Sequence, residues 1–345
     1  MKTQLLLPQE ATYTMAAEIL KNGGLVAFPT ETVYGLGANA LDPDAVLSIF
    51  TAKGRPADNP LIVHIHDRNQ LEPLCEVPDR ALPLMDAFWP GPLTILCNRK
   101  PVIPDQVTAG LPTVAVRMPS HPVARILLQT CNLPVAAPSA NTSGRPSPTT
   151  AAHVMEDMNG KIPLIIDGGM CDVGVESTVL DLCHGDPVIL RPGGITREMI
   201  ADVLNCEVSV AGSVLRPLRE NETALSPGMR YRHYAPHAIV TLVQGPEDHV
   251  VPLLRKLYRE QEAAGKKACV LCFSEHVASL SGCRPHDIGS SASPADIAHR
   301  LFDVLRRLDE EGMEMVFSEV IPPEGFGLAV MNRLGRAASF RTIQA

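Results

Sequence analysis

Seven short apolar runs, at 25–28, 61–65, 93–96, 113–116, 164–166, 177–180 and 188–190, constrain the first 207 residues more than any other feature. Runs of this length, bounded by Gly, Pro and Asn, fit buried strands and are too short for helices. Helical stretches fit between several of them. Asp42-Pro43 is an N-cap followed by proline at the first helical position and opens a helix towards Lys53, while His121-Pro122 and Thr149 start two more. Other runs follow one another with no helix between, so the expected sheet is mixed and twisted rather than purely parallel.

The pattern lapses after 207 and resumes at 239. Residues 208–238 contain Ser226-Pro227-Gly228 and read as a linker. Beyond it, strands at 239–243, 268–273 and 315–320 alternate with helices at 247–264, 294–308 and 327–338. That is the grammar of a smaller, doubly wound, Rossmann-like α/β domain. The domains are therefore 1–207 and 239–345, joined by 208–238, as a length of 345 residues allows at roughly 150 per domain. The 31 prolines are nearly twice the usual share of about 5%, and they place rigid loops between the elements.

Several function classes drop out on simple grounds. No apolar run approaches the roughly 18 residues of a membrane span, and residues 1–10 lack a signal peptide's basic start and apolar core, so a cytoplasmic protein is expected. The nine cysteines show no repeating spacing and suggest reduced thiols. Cys269 and Cys272 form a CxxC inside an apolar strand, where positions three apart face opposite ways, so no metal site is expected there. Residues 1–207 carry 14 basic against 22 acidic side chains; 208–238 carry four against two, and 239–345 carry 12 against 14. Nonspecific nucleic-acid affinity comes from neutralising phosphates with Lys and Arg, so a first domain at −8 is not built mainly to grip RNA. Any RNA contact is expected to be local or indirect.

Chemistry-bearing residues gather in five segments. The first is Pro29-Thr30-Glu31-Thr32-Val33-Tyr34-Gly35-Leu36-Gly37-Ala38-Asn39-Ala40. Gly35, Gly37 and Ala40 match G-x-G-x-x-A, but they begin seven residues past the strand, too far for the tight turn of a dinucleotide site. One reading is a tight loop with Thr and Glu as caps; four hydrogen-bonding side chains in five residues favour the other, a ligand loop. The second segment runs Lys53-Gly54-Arg55-Pro56, then Asn59-Pro60, then the strand with His64 and His66. Its two cations either complement a helix dipole or hold polyphosphate from a rigid loop; with no P-loop motif in the chain, side chains must hold any nucleotide phosphates. His64 and His66 share a strand face, and a hydrogen-bonded histidine is preferred over a metal pair.

The third segment is Arg117 at a strand end with Ala137-Pro138-Ser139-Ala140-Asn141-Thr142-Ser143-Gly144-Arg145-Pro146-Ser147, either a solvated loop or a donor-rich wall for phosphate and ribose oxygens. Glu176-Ser177-Thr178 and Arg191-Pro192-Gly193 complete the set. Arginines 55, 117 and 191 all stand close to a proline at an element end, a placement that suits a cleft for an anionic substrate. No G-x-S-x-G occurs, so no serine nucleophile is expected.

Pro-Thr-Glu-Thr-Val-Tyr-Gly-Leu-Gly, Lys-Gly-Arg-Pro with Asn-Pro-Leu and His64, Trp89-Pro-Gly-Pro-Leu-Thr94, Arg117-Met-Pro, Pro138-Ser-Ala-Asn-Thr-Ser-Gly, Glu176-Ser-Thr and Arg191-Pro-Gly together resemble the YrdC-like domain in order and spacing. Ser226-Pro-Gly-Met-Arg-Tyr-Arg-His-Tyr-Ala-Pro236 followed by a small α/β domain resembles the two-domain Sua5 form of that family. The resemblance spans nearly the whole chain. It implies an L-threonylcarbamoyladenylate synthase, a nucleotidyltransferase that makes threonylcarbamoyl-AMP and pyrophosphate from L-threonine, bicarbonate and ATP. A separate tRNA threonylcarbamoyltransferase complex would receive the product and modify tRNAs that read ANN codons.

By position, the resemblance places threonine around Thr32, His64, Arg117, Ala137 and Ser177. It places ATP against Lys53, Arg55, Asn59, Thr113, Ser139, Asn141, Ser147 and Arg191, with Lys53 and Arg55 as catalytic cations. Mg²⁺ would accompany the ATP, with no metal site of the protein's own, and Arg230, Tyr231 and His233 would form a lid. Two other readings remain beside it. A YrdC-like cleft can serve as an RNA- or nucleotide-binding module without synthesis, which the acidic first domain and the full motif set count against. A YrdC-like domain also takes part in carbamoyl transfer for hydrogenase maturation, which expects zinc-finger and acylphosphatase modules that this chain has no room for.

Overall fold

The computed structural model describes residues 2–216 and 234–345. The chain divides into two units: the described parts of Met1–Ser143 and Ser147–Val214 make the first, and Gly144–Pro146 with the described part of Tyr231–Ala345 makes most of the second.

The first unit holds β1 (Gln4–Leu6), β2 (Val26–Phe28), β3 (Gly35–Asn39), β4 (Ile62–His64), β5 (Cys75–Glu76), β6 (Leu93–Arg99), β7 (Thr113–Arg117), β8 (Val135–Ala136), β9 (Leu164–Ile166), β10 (Thr178–Asp181), β11 (Val188–Arg191) and β12 (Ser209–Val210). Their order across the sheet is β1-β9-β2-β3-β8-β4-β7-β6-β10-β11-β12, with β5 paired to β6 off this path. β4 and β7 run parallel, as do β6 and β10, whereas β2 and β3, β3 and β8, and β6 and β7 run antiparallel. The sheet is mixed, as strands spaced too closely for crossover helices require.

Period-two alternation places successive side chains in different cores. Ala27, Val63, Val114, Val116 and Ile165 enter one cluster, shared with the helices Pro43–Lys53 and Ala151–Met158. Val26, Phe28, Val135, Leu164 and Ile166 enter another, shared with the helices Glu10–Lys21 and Pro122–Cys131. Asp42 caps Pro43–Lys53 by accepting from the amides of Asp44 and Ala45, and His121 caps Pro122–Cys131 by accepting from Val123. The third expected helix starts at Ala151 rather than beside Thr149, because the hydroxyl of Thr150 accepts from the His153 amide.

All seven expected runs are strands, but Gly35–Asn39, expected within a ligand loop, is β3. Its glycines answer a close approach rather than a turn: a Cβ on Gly37 would stand 2.8 Å from both Phe28 Cε1 and Val135 Cγ1. The polar segment before it, Pro29–Tyr34, does remain outside regular structure.

The second unit is a parallel sheet of β13 (Ile239–Gln244), β14 (Ala268–Cys272), β15 (Pro285–Asp287), β16 (Met315–Ser318) and β17 (Thr342–Gln344), in the order β15-β14-β16-β13-β17. Helices Glu247–Ala263, Pro294–Glu310 and Gly327–Ala337 flank it in sequence. Within this unit the sequence pattern misses β15 and β17, which are short, lie at the edges and contain no buried residue, so they leave no apolar run to read. In the first unit it also misses β1, β3, β5, β8 and β12. Cys269 and Cys272 are buried in β14, and burial pushes both thiols up to about 12. Among the described residues no helix is long and apolar enough to cross a membrane.

One glycine locks the turn after β11 against the start of β10. A Cβ on Gly193 would collide with the backbone nitrogen of Thr178 and stand 2.5 Å from Glu176 O and Ser177 C. Backbone cannot swing aside as a side chain can, so Gly193→Ala is expected to lower stability by about 1–3 kcal/mol, read as a lower midpoint in chemical denaturation. Gly282→Ala, where nothing stands within 4 Å of the new Cβ, is the control and should stay within about 0.5 kcal/mol.

Candidate functional site

The sheet register builds a row of side chains across five neighbouring strands. His64 on β4 pairs with Arg117 on β7, Arg117 with Thr94 on β6, Thr94 with Val179 on β10, and Val179 with Arg191 on β11. Neighbours in such a row stand about 5 Å apart. Ile62, Ala115, Leu96, Val179 and Leu190 form a small apolar cluster beside it. Alternation puts His64, Arg117 and Thr94 on the same faces of their strands as Ile62, Ala115 and Leu96. The row is thus the polar continuation of an apolar floor.

Arg117 is its centre. The residue is 3% exposed and spends three parts of its guanidinium on the protein: Nε donates to Gly91 O at 3.2 Å, Nη1 donates to Thr32 Oγ1 at 2.9 Å, and Nη2 lies 2.6 Å from Glu31 Oε1. Thr30 holds the loop that presents Glu31 and Thr32. Its hydroxyl donates to Val33 O at 2.6 Å and accepts from the amides of Thr32 and Val33 at 3.2 Å. Burial is the largest single influence and would raise the Glu31 carboxyl, but the charge and hydrogen bond of Arg117, with the backbone amides of Glu31 and Ser120, together leave it below its ordinary value.

Further along the row, Ser177 Oγ lies 2.8 Å from Thr94 Oγ1 and accepts from Arg191 Nη2 at 3.0 Å, while Arg191 Nε donates to Ser177 O at 3.0 Å. Ser147, fully buried, donates its hydroxyl to Glu176 Oε1. A second network ties Lys53 to the donor-rich loop: its ammonium donates to Ser139 O at 2.5 Å, Asn141 O at 2.6 Å and Asn141 Oδ1 at 3.3 Å, and Ser139 Oγ donates to Asn141 Oδ1. Lys53 is the last residue of its helix, yet its charge is buried in this loop rather than spread on the helix end.

Of the expected site residues, Thr32, His64, Arg117, Ser177 and Arg191 are brought into one connected patch, Lys53, Ser139 and Asn141 into another, and Ser147 meets Glu176. Ala137 is buried, and its amide donates to Ile62 O at 2.9 Å, which leaves it a backbone role beside β4. Thr113 opens β7 four residues before Arg117, about 13 Å away on the same face. Arg55 lies over the Phe50 ring at 5.9 Å. Asn59 is fully buried, and neither its Nδ2 nor its Oδ1 has a hydrogen-bond partner. Buried amides are almost always paired, so this one has unused capacity for a ligand. Arg230, Tyr231 and His233 lie outside the described residues. Sequence reasoning left Glu31, Thr94 and Glu176 off the site; each stands inside a quoted motif, one residue from or bonded to a chosen one.

His64 shares this buried setting. Nδ1 lies 3.2 Å from Ile62 O, and the ring meets Phe28 edge to face with centroids 6.4 Å apart. Burial, then the Arg117 charge, pushes its pKa from 6.5 down to about 3. The imidazole is therefore neutral at physiological pH, with the backbone of Ile62 and Val135 beside its ring nitrogens. An unfolded chain binds a proton on this residue below pH 6.5 while the folded one does not until about pH 3, so stability falls as pH is lowered through that window. The expected observation is a His64 imidazole resonance that does not titrate between about pH 4.5 and 8, and a shallower acid loss of stability in His64→Gln.

The comparisons with known proteins cover both parts of the chain. Residues 18–193 match the Sua5, YciO and YrdC family model, described as "Telomere recombination", and residues 195–339 match the model described as "Threonylcarbamoyl-AMP synthase, C-terminal domain". A Pyrococcus abyssi protein named threonylcarbamoyl-AMP synthase is 48% identical over 337 residues, covering 97% of this chain and 96% of the relative. A Bacillus subtilis protein of the same name is 45% identical over 344 residues, covering 99% and 97%. The crystal structure of P. abyssi Sua5 complexed with L-threonine superposes with a TM-score of 0.93 at 46% identity, covering 99% of this chain and all of that one. With both family models matched in order and relatives aligned end to end, this chain belongs to the Sua5–YrdC family in its two-domain form.

Proposed function

We propose that the chain is a threonylcarbamoyl-AMP synthase, a nucleotidyltransferase that joins L-threonine, bicarbonate and ATP and releases pyrophosphate. The observation that carries the reading is the buried row His64–Arg117–Thr94 with Ser177 and Arg191, two cations on a sheet face in an otherwise acidic domain. Full-length relatives named for this activity, one of them crystallised with L-threonine, support it.

The chemistry needs no protein nucleophile. Threonine's amine and bicarbonate give a carbamate, whose oxygen attacks the α-phosphorus and expels pyrophosphate, so the protein's work is to position reactants and stabilise phosphate charge. Arg117 takes the threonine carboxylate, with Thr32, His64, Ala137 and Ser177 around the amino acid. ATP lies along Lys53, Arg55, Asn59, Thr113, Ser139, Asn141, Ser147 and Arg191. Lys53 acts partly through the loop it holds, keeping the donors of Ser139 and Asn141 in place and adding its charge to the phosphate side. Mg²⁺ would accompany ATP as part of the MgATP substrate and add its charge to that of Lys53 and Arg55 at the phosphates. Residues 1–207 are the catalytic domain on this reading, 208–238 the connection and 239–345 the second domain. The product passes in the cytoplasm to a tRNA threonylcarbamoyltransferase complex, and tRNA itself needs no tight grip here.

Pyrophosphate release from ATP should require threonine and bicarbonate together, each omission abolishing it. Arg117→Lys keeps a charge beside Glu31 but loses the planar fork; the threonine KM should rise by on the order of tenfold or more while the ATP KM stays nearly constant. Release that ignores threonine would defeat the synthase reading.

A further inference from the structure

We infer that Glu31 is a second charged anchor of the threonine subsite and a catalytic base: it holds the substrate's α-ammonium and takes its proton, freeing the amine to react with bicarbonate. The inference rests on the synthase reading with Arg117 as the carboxylate anchor.

Glu31 and Arg117 are 5% and 3% exposed, and their charges touch at 2.6 Å. Yet Arg117 Nη2 and both carboxylate oxygens of Glu31 make no well-aligned hydrogen bond, although the backbone amides of Glu31 and Ser120 also approach the carboxylate. A buried pair in contact but not hydrogen-bonded to capacity is costly unless something else completes it. An α-amino acid zwitterion is the matching ligand. Its carboxylate completes the guanidinium, its ammonium completes the Glu31 carboxylate, and the buried charge sums to zero before and after binding. Arg117 alone would leave the ammonium uncompensated in a water-poor pocket.

The same contact supplies the proton acceptor that carbamate formation needs, because an ammonium has no lone pair. The balanced steps are R–NH₃⁺ + Glu31–COO⁻ → R–NH₂ + Glu31–COOH, then R–NH₂ + HCO₃⁻ → R–NH–COO⁻ + H₂O. In the second step the N–C bond forms, a C–O bond breaks, and the departing hydroxide takes the nitrogen's proton. Without substrate, Arg117 holds the Glu31 carboxyl down against burial. Once the threonine carboxylate shares that guanidinium, burial weighs more and the carboxyl becomes a better base. The other titratable groups around it suit the task less. His64 and His121 are both pushed down by burial, the Cys171 thiol is pushed up and stays protonated, and the negative charge of Asp172 acts on both His121 and Cys171.

The test compares L-threonine with 2,3-dihydroxybutanoate of the same stereochemistry, which has a hydroxyl in place of the ammonium, in calorimetric binding to the full chain. Wild type should bind threonine at least about tenfold tighter, and Glu31→Gln should lose that preference. In turnover, Glu31→Gln should drop kcat by about 10²–10⁴, with an activity that climbs with pH as bulk base removes the proton, while wild type and Glu31→Asp keep flatter profiles and all three share the ATP KM. Equal binding of the two ligands by wild type would overturn the anchor without any variant having to fold. A Glu31→Gln enzyme with wild-type kcat and a flat profile would overturn the proton transfer. Failure of the parent reading looks different: wild type would then release no pyrophosphate in response to threonine.

Discussion

A guanidinium removed from water is the constraint around which the first unit is arranged. Arg117 ends β7, a strand with paired neighbours on both sides, so its backbone cannot shift to carry the charge outward. The surroundings come to it instead: the Gly91 carbonyl, the Thr32 hydroxyl and the Glu31 carboxylate. Removing one partner of such a buried pair strands the other charge at a cost of several kcal/mol. The loop from Pro29 to Tyr34 is therefore fixed by electrostatics as much as by the Thr30 hydrogen bonds that shape it.

That dependence explains which parts of the site were legible. Strand positions followed from apolar runs, and the caps at Asp42 and His121 were visible because Pro follows each. Arg55, Arg117 and Arg191 were noticeable as cations at element ends beside proline. Glu31 and Thr94 were not, because their importance lies in meeting Arg117 from segments distant in sequence, Glu31 from a loop and Thr94 from a paired strand. Residues 64, 94, 117 and 191 fall in one row only through the order β4-β7-β6-β10-β11, which single-sequence spacing does not encode. The same limit misassigned Gly35–Asn39: glycine reads as a turn in one dimension, and only Phe28 and Val135 packed against Gly37 reveal it as a strand with no room for a side chain.

Lys53 shows how one residue can satisfy two readings. As a cation at a helix end it fits the dipole argument, and as a cation beside Arg55 it fits phosphate. The fold resolves this by burying its ammonium among the oxygens of Ser139 and Asn141. Donors on that loop are then held in fixed orientations before any ligand arrives, and preorganised donors cost nothing further at the moment charge develops. The unpartnered amide of Asn59 is the complementary case, a polar group whose partner the protein does not itself supply.

Charge on two scales separates what this domain attracts from what it holds. At long range, 14 basic against 22 acidic side chains in residues 1–207 repel a polyanion as large as tRNA, and salt screens that field within about 10 Å. At short range, Arg117 and Arg191 sit in a low-dielectric row where each contact counts for far more than on the surface. A small anion that reaches the row is held by local contacts. An arrangement of this kind suits an enzyme that holds an amino acid beside a nucleotide, because both carry the compact anionic groups that a buried arginine matches.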